Sequence, residues 1–381
     1  MNKWLFKWHS WLALAACLPL VVICATGSVL VFKHEIDRLL MPEKVRVEVA
    51  GPRQSLDALQ TVLHQGLPNH EIVGWTLFDD PQRADQVYVI AHGSRDWLYT
   101  LVDPYRGEIL APAVATDHYL SDWLLELHYT LLLDDAGIIV SAVVAVVLCL
   151  LGISGLILHR RFWKNLFTLR RHGRRIVYYS DLHKLSGALA SPVLLVLGIT
   201  GGYWNIAHSI EEYQEHADGH EHPIVEGPMY SRDLSLDALL AKSQAQLPGF
   251  TARYVSLPWE PGRAIRFWGD VGSANPLLSE YASSVGFNAD TGEALAASDI
   301  RTAGVGAKVL DSFRRLHFGN FAGLTSRVIW SVLGLAPLLL AFTGGYLWLT
   351  RRAKRRRARH KRRSKQRAAA GVSTRAALGR D

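Results

Sequence analysis

The sequence predicts an integral membrane α-helical protein, with four spanning helices, two small α+β domains between them, and an internal repeat. Three observations carry this. First, Trp11–Phe32, Ala136–Leu158, Leu185–Ala207 and Val328–Leu349 are almost free of charge for roughly 20 residues each, enough to cross a hydrocarbon core at about 1.5 Å per residue. Second, the head (Lys3, Lys7), the segment 159–184 and the tail 350–381 hold 2, 8 and 14 Lys and Arg, yet only two acids, Asp181 and Asp381. Third, the chain matches itself. A slide of 174 residues puts His9 on His183, Gly27 on Gly201 and His34 on His208; a slide of 189 puts His128 on His317 and Gly155 on Gly344.

The elements follow in order. Residues 1–10 are a short N-tail, 11–32 the first span, 33–135 the first outer domain and 136–158 the second span. Residues 159–184 form a basic loop, 185–207 the third span, 208–327 the second outer domain, 328–349 the fourth span, and 350–381 a basic tail expected to lack fixed structure. The positive-inside rule puts both termini and the basic loop in the cytoplasm, and the two long segments outside. Within those segments "SLDALQTVLHQGLP" from Ser55 and "SLDALLAKSQAQLP" from Ser235 read as amphipathic helices capped by serine. "QVYVIAH" from Gln86 and "RAIRFWG" from Arg263 alternate as half-buried strands do. "DPYRG" and "NADTG" begin with an Asx residue and end in glycine, as turns between two strands do.

Composition excludes several classes. The net charge of +8 suggests an anionic partner, but "RRAKRRRARHKRRSKQR" adjoins a spanning helix and reads as a lipid-surface segment; no nucleic-acid partner is expected. Cys17, Cys24 and Cys149 all fall in spans, so the outer domains have no disulfide framework. No C-x-x-C-H occurs, so covalent c-type haem is not expected, and no G-x-G-x-x-G marks a dinucleotide fold.

Two helix-then-hairpin domains ending in "VDPYRGEIL"-type turns resemble PepSY domains. Spans carrying "KWHSWLAL", "ELHYTLLL", "DLHKLSGAL" and "RLHFGNFAGL" resemble the PepSY-associated transmembrane family, over about Lys3 to Arg352. That family includes iron-regulated inner-membrane proteins and ferric-siderophore reductases of Gram-negative bacteria. The resemblance implies b-type haem and reduction of ferric chelates in the periplasm.

The histidines are the candidate site. Ionisable residues at spanning helices are costly, hence functional suspects. His9 and His183 are equivalent at the inner side; His128 and His317, and His34 and His208, at the outer. Neutral imidazole suits several metals, and haem iron takes axial histidine. His9 and His34, 25 residues apart, are separated by about 37 Å along a helix, so one site cannot use both. The economical scheme is two haems of b type: an inner one on His9 and His183, and an outer one on His128 and His317. His34 and His208 are rival outer ligands. Ala13 and Gly187 follow their histidines at i+4, and Gly319 and Gly323 form a G-x-x-x-G, small residues suited to lie under a flat macrocycle or to let helices approach. "HADGHEH", with His216, His220 and His222, is a weaker metal candidate.

The expected function is a transmembrane ferric-chelate reductase of the bacterial inner membrane. Its electron donor would be external, a flavin or NAD(P)H enzyme or quinol. Its other partners would be a ferric siderophore, membrane lipid and periplasmic iron-binding or transport proteins. The alternatives are an iron or haem transporter, and a PepSY-based binding or regulatory membrane protein without redox activity.

Overall fold

The computed structural model describes residues 3–159, 168–171, 174–217, 219 and 223–378. The chain divides into two compact units. One comprises residues 1–25, 143–198 and 332–381, the other residues 26–142 and 199–331.

The first unit is helical. It holds α1 (Lys3–Ala15), the start of α2 (Cys17–Leu30), and most of α7 (Asp134–Leu158). It also holds the first part of the long α8 (Arg175–Ala217) and nearly all of α12 (Ala336–Leu378), which follows α11 (Gly323–Gly334). Three stretches are long and apolar enough to cross a membrane: Asp134–Leu158, Arg175–Glu215 and Gly323–Arg362. A fourth is broken: α1 and α2 meet at 66°. Pro19 explains the break. It lacks the N–H that would bond the carbonyl of Ala15, and its ring crowds that carbonyl. Pro337 likewise stands just after the gap between α11 and α12. α7 and α8 approach closely, since a Cβ on Gly198 would lie 2.7 Å from Cys149 Sγ and 3.1 Å from the carbonyl of Ala145.

Two boundaries differ from expectation. α8 extends well beyond 185–207 at both ends; Glu211, Glu212, Gln214 and Glu215 in its C-terminal extension favour helix. The tail, expected to lack structure, continues α12 to Leu378; its Arg, Lys and Ala residues favour helix, and Pro is absent from it.

The second unit carries the sheet. Its helices are α3 (Lys33–Leu40), α4 (Pro42–Val45), α5 (Leu56–Gly66), α6 (Leu120–Tyr129), α9 (Leu236–Gln246) and α10 (Val305–Phe318). The strands are β1 (His70–Thr76), β2 (Asp85–Ala91), β3 (Trp97–Asp103), β4 (Glu108–Ile109), β5 (Val114–Ala115), β6 (Thr251–Ser256), β7 (Ile265–Asp270), β8 (Ser283–Phe287) and β9 (Ala294–Ser298). Their order is β4-β3-β2-β1-β6-β7-β8-β9, with β5 also on β3, and every pairing is antiparallel.

This corrects the expectation of two separate small domains. β1 and β6 pair through Gly74–Ser256, Trp75–Val255 and Thr76–Tyr254, so the two long segments share one sheet. Each segment alone would leave that edge strand unpaired. They also share one core: Leu59 and Leu63 of α5, Leu236 and Leu239 of α9, and Trp75, Phe267 and Phe287 from the strands. The N-termini of α5 and α9 cap one another. Asp237 accepts from the backbone N–H of Leu56 and Asp57 at 3.0 Å each, and Asp57 accepts from the N–H of Leu236 at 2.6 Å. Ser55 and Ser235 cap their own helices through the N–H of Ala58 and Ala238. The expected turns form as well: Asp103 and Asn288 accept from N–H groups two and three residues on, and Gly107 and Gly292 take positive φ.

Candidate functional site

Four histidines meet four hydroxyls. In the helical unit, His9 Nδ1 on α1 lies 2.7 Å from Ser154 Oγ on α7, and His183 Nδ1 on α8 lies 2.8 Å from Thr343 Oγ1 on α12. In the sheet-bearing unit, His128 Nδ1 on α6 lies 3.2 Å from Thr26 Oγ1 on α2, and His317 Nδ1 on α10 lies 2.9 Å from Thr200 Oγ1 on α8. Each hydroxyl residue is followed by glycine, and each glycine faces the ring its neighbour holds. A Cβ on Gly27 would sit 2.6 Å from Cε1 of His128, and on Gly201 2.9 Å from Cε1 of His317. At Gly344 and Gly155 the corresponding distances to His183 and His9 are 3.3 and 3.6 Å. Any side chain at Gly27 or Gly201 would therefore displace an imidazole.

The structure brings His128 and His317 together. Their ring centroids are 6.2 Å apart with planes tilted by 55°. Trp204 stands edge-on to His317 at 5.2 Å. Both histidines ride on short helices anchored to the rest of their unit. Asp122 of α6 accepts from Tyr99 Oη of β3 at 2.5 Å and pairs with Lys33 Nζ at 2.8 Å. Lys33 also reaches Asp37 at 3.0 Å, and Ser121 donates to Asp37. Asp311 of α10, six residues before His317 as Asp122 is before His128, accepts from the N–H and Oγ of Ser279 at 2.7 and 2.6 Å. Trp330 Nε1 donates to the carbonyl of Leu316 at 2.7 Å, fixing the end of α10.

His9 and His183 lie in one unit. Asp181, two residues before His183, takes a bidentate pair from Arg170 at 2.8 Å for each bond.

The sequence model of the PepSY-associated TM region matches residues 6–351. This protein belongs to the PepSY-associated TM family. A relative of this PepSY-associated TM protein is the uncharacterized protein PA4219 of Pseudomonas aeruginosa, 30% identical over 261 residues. That match covers 61% of this chain and 64% of the relative, slightly under two thirds of its length.

The other expected site residues of this PepSY-associated TM protein fare differently. His34 is engaged elsewhere: Arg83 Nη1 is 2.5 Å from its Nδ1, and its ring stands edge-on to Phe78. Guanidinium can only donate, so Nδ1 accepts and the ring proton of neutral His34 sits on Nε2. His208 is exposed on α8. Gly319 and Gly323 are not a helix-packing pair. Gly319 ends α10 at φ 68° with Trp330 against it, and Gly323 opens α11 at φ 61°, so the two flank a helix break rather than share a helix face. Gly187 packs on Leu340 and Ala13 is half-buried on α1. His216 lies on the last turn of α8, whereas His220 and His222 fall outside the described residues. Among the described residues no group of three or more His, Cys, Asp and Glu is arranged to hold a metal ion.

Thr26, Ser154, Thr200 and Thr343 had no role assigned to them from the sequence. A signal was present: the slide of 174 carries Thr26-Gly27 onto Thr200-Gly201, and the slide of 189 carries Ser154-Gly155 onto Thr343-Gly344.

Proposed function

We propose that this membrane protein is a haem-b electron carrier of the bacterial inner membrane that reduces Fe(III) chelates, ferric siderophores in particular, on the periplasmic side and so releases Fe(II). One observation carries the reading: the facing pair His128 and His317. One iron that took a nitrogen from each of two imidazoles would need the rings within several ångströms of one another. The ring centroids of this pair are 6.2 Å apart. The donor set agrees: paired imidazoles, with no closed three- or four-ligand cluster among the described residues to favour zinc.

His128 and His317 would hold the outer haem, and His9 and His183 the inner one. Bound iron would supply one-electron transfer. The residues of the chain do the rest. Each histidine has a hydroxyl at Nδ1, so Nε2 is the nitrogen it would offer to the metal. Trp204 packs beside His317 and helps exclude water from it. Asp122 and Asp311 tie the two histidine helices into the sheet-bearing unit that would face the chelate. Fe(III) prefers hard oxygen donors more strongly than Fe(II) does, so reduction loosens the chelate. The electron would come from an external flavin or NAD(P)H enzyme or from quinol, with both termini cytoplasmic and the basic end of α12 against anionic lipid.

The test is haem stoichiometry and an absorption spectrum on purified full-length protein, followed by addition of a ferric siderophore to the dithionite-reduced form. Two b haems per chain, with chelate-dependent reoxidation, are expected. A folded preparation that stays colourless when supplied with haem would overturn the reading in favour of a binding module.

A further inference from the structure

We infer that Thr26, Ser154, Thr200 and Thr343 are positioning residues that fix the tautomer of the four histidines and thereby lower the reduction potential of whatever iron those histidines hold. The inference rests on the haem reading and adds the protein's means of tuning it.

A serine or threonine hydroxyl has one hydrogen to give and two lone pairs to receive. Thr343 Oγ1 gives its hydrogen backward along its own helix, to the carbonyl of Leu339 at 2.7 Å. Ser154 Oγ does likewise toward the carbonyl of Leu151 at 3.3 Å. With that hydrogen given to Leu339, Thr343 Oγ1 accepts from His183, so Nδ1 of that ring carries the proton; Ser154 sets His9 in the corresponding arrangement. A neutral imidazole protonated at Nδ1 has its lone pair at Nε2, ready for a metal. Either hydroxyl turned the other way would leave Nδ1 as the basic nitrogen and a hydrogen on Nε2. Thr26 and Thr200 make the same contact with His128 and His317, at 3.2 and 2.9 Å.

The four-fold recurrence separates this from chance packing. Helical threonines commonly bond back to their own helix, but that habit does not require an imidazole beside the hydroxyl. Here every station combines a hydroxyl on one helix, a histidine on another, and a glycine next to the hydroxyl that makes room for the ring. The bonding partners are 102, 117, 145 and 160 residues apart in the chain, so no local turn produces them.

The consequence is electronic as well as geometric. A hydrogen bond accepted from Nδ1–H makes the imidazole more basic at Nε2. A more basic axial ligand favours Fe(III) over Fe(II) and lowers the potential, which helps a carrier that must pass electrons on to a ferric chelate.

The experiment uses full-length protein loaded with haem and titrated potentiometrically, with Thr343→Val, Ser154→Ala, Thr26→Val and Thr200→Val beside Thr343→Ser. The first two should raise the potential of one haem and the next two that of the other, with haem content unchanged, and Thr343→Ser should stay at the wild-type value. Should Thr343→Val lose a haem outright, Thr343→Ser must retain it. Equal potentials in wild type and all four hydroxyl-removing variants would overturn the inference, as would Thr343→Ser shifting or losing haem as much as Thr343→Val. A wild-type protein that binds no haem would instead sink the function on which the inference rests.

Discussion

The His9–His183 pair and the His128–His317 pair use the same parts, a hydroxyl on Nδ1 and a glycine at the ring, but they are mounted differently. His9 and His183 stand on α1 and α8, in the helical unit. Their position follows mainly from the packing of those helices, and their glycines leave ring clearances of 3.6 and 3.3 Å. His128 and His317 stand on the short helices α6 and α10, which are tied through Asp122 and Asp311 to Tyr99 and Ser279. Their glycines would tolerate no Cβ, with contacts of 2.6 and 2.9 Å. The difference teaches that one pair is set by apolar packing, which tolerates small volume changes, and the other by a sheet and fixed polar anchors, which do not.

The largest effect should come from the imidazoles themselves. His128→Ala or His317→Ala should remove one haem per chain and leave the other, and His9→Ala or His183→Ala should do the converse, read by pyridine haemochrome and absorption. If all four variants keep full haem content, the pairing is wrong and the comparison collapses.

Glycine substitutions sharpen the contrast at the next level. Gly27→Ala and Gly201→Ala force a ring to move, at a cost typically about 1–3 kcal/mol, and should weaken haem retention strongly. Gly155→Ala meets only ordinary van der Waals contact at 3.6 Å and should bind as wild type, with Gly344→Ala at 3.3 Å between them. Haem titration of the apo forms measures this order; equal losses at all four positions would erase the difference in mounting.

Much of this was legible in the sequence, and what was not has a physical reason. The charge-free segments, the Ser55 and Ser235 caps, the Asx turns at Asp103 and Asn288 and the register of the histidines are local signals, and local signals survive in one dimension. The partner of each histidine lies more than a hundred residues away, so only the recurrence of a hydroxyl-glycine step under the slides hinted at Thr26, Ser154, Thr200 and Thr343. The joining of β1 to β6 was hidden because each segment supplies a plausible sheet of its own. Gly319 and Gly323 misled because a G-x-x-x-G spacing carries no φ; the positive angles that set them at the end of α10 and the start of α11 appear only in three dimensions.

Anchor removal comes third. Asp311→Ala deletes two hydrogen bonds to a carboxylate, about 1.5–3 kcal/mol for each such bond, and should loosen α10. Asp122→Ala leaves the Tyr99 hydroxyl and part of the Lys33 charge unpaired. Both variants should lower the thermal stability of the sheet-bearing unit and weaken the haem on His128 and His317, while the spectrum of the other haem stays unchanged. A matching loss at His9 and His183 would mean the two mounts are one.

The smallest effect tests the same separation by pH. Glu35 on α3 is held below the ordinary carboxylate range, first by the hydrogen bonds of Arg327 and against a weaker opposing push from burial. A depressed folded pKa means the unfolded chain binds the extra proton first, so stability rises with pH across the window between the two values. The contribution is complete above the unfolded carboxylate range, about pH 5, and is lost as pH falls through the lower folded value. The side chain is 49% exposed, so solvent screening limits the pair to about 0.5 kcal/mol. Arg327 also donates to the carbonyl of Val31, just past the end of α2, so the pair helps hold α2 and α3 against α11 near Thr26. Glu35→Gln should therefore lower the melting temperature slightly at pH 7, converge with wild type in acid, and affect the haem on His128 and His317 before the other. A stability difference that persists undiminished at pH 3 would assign the effect to packing rather than to charge.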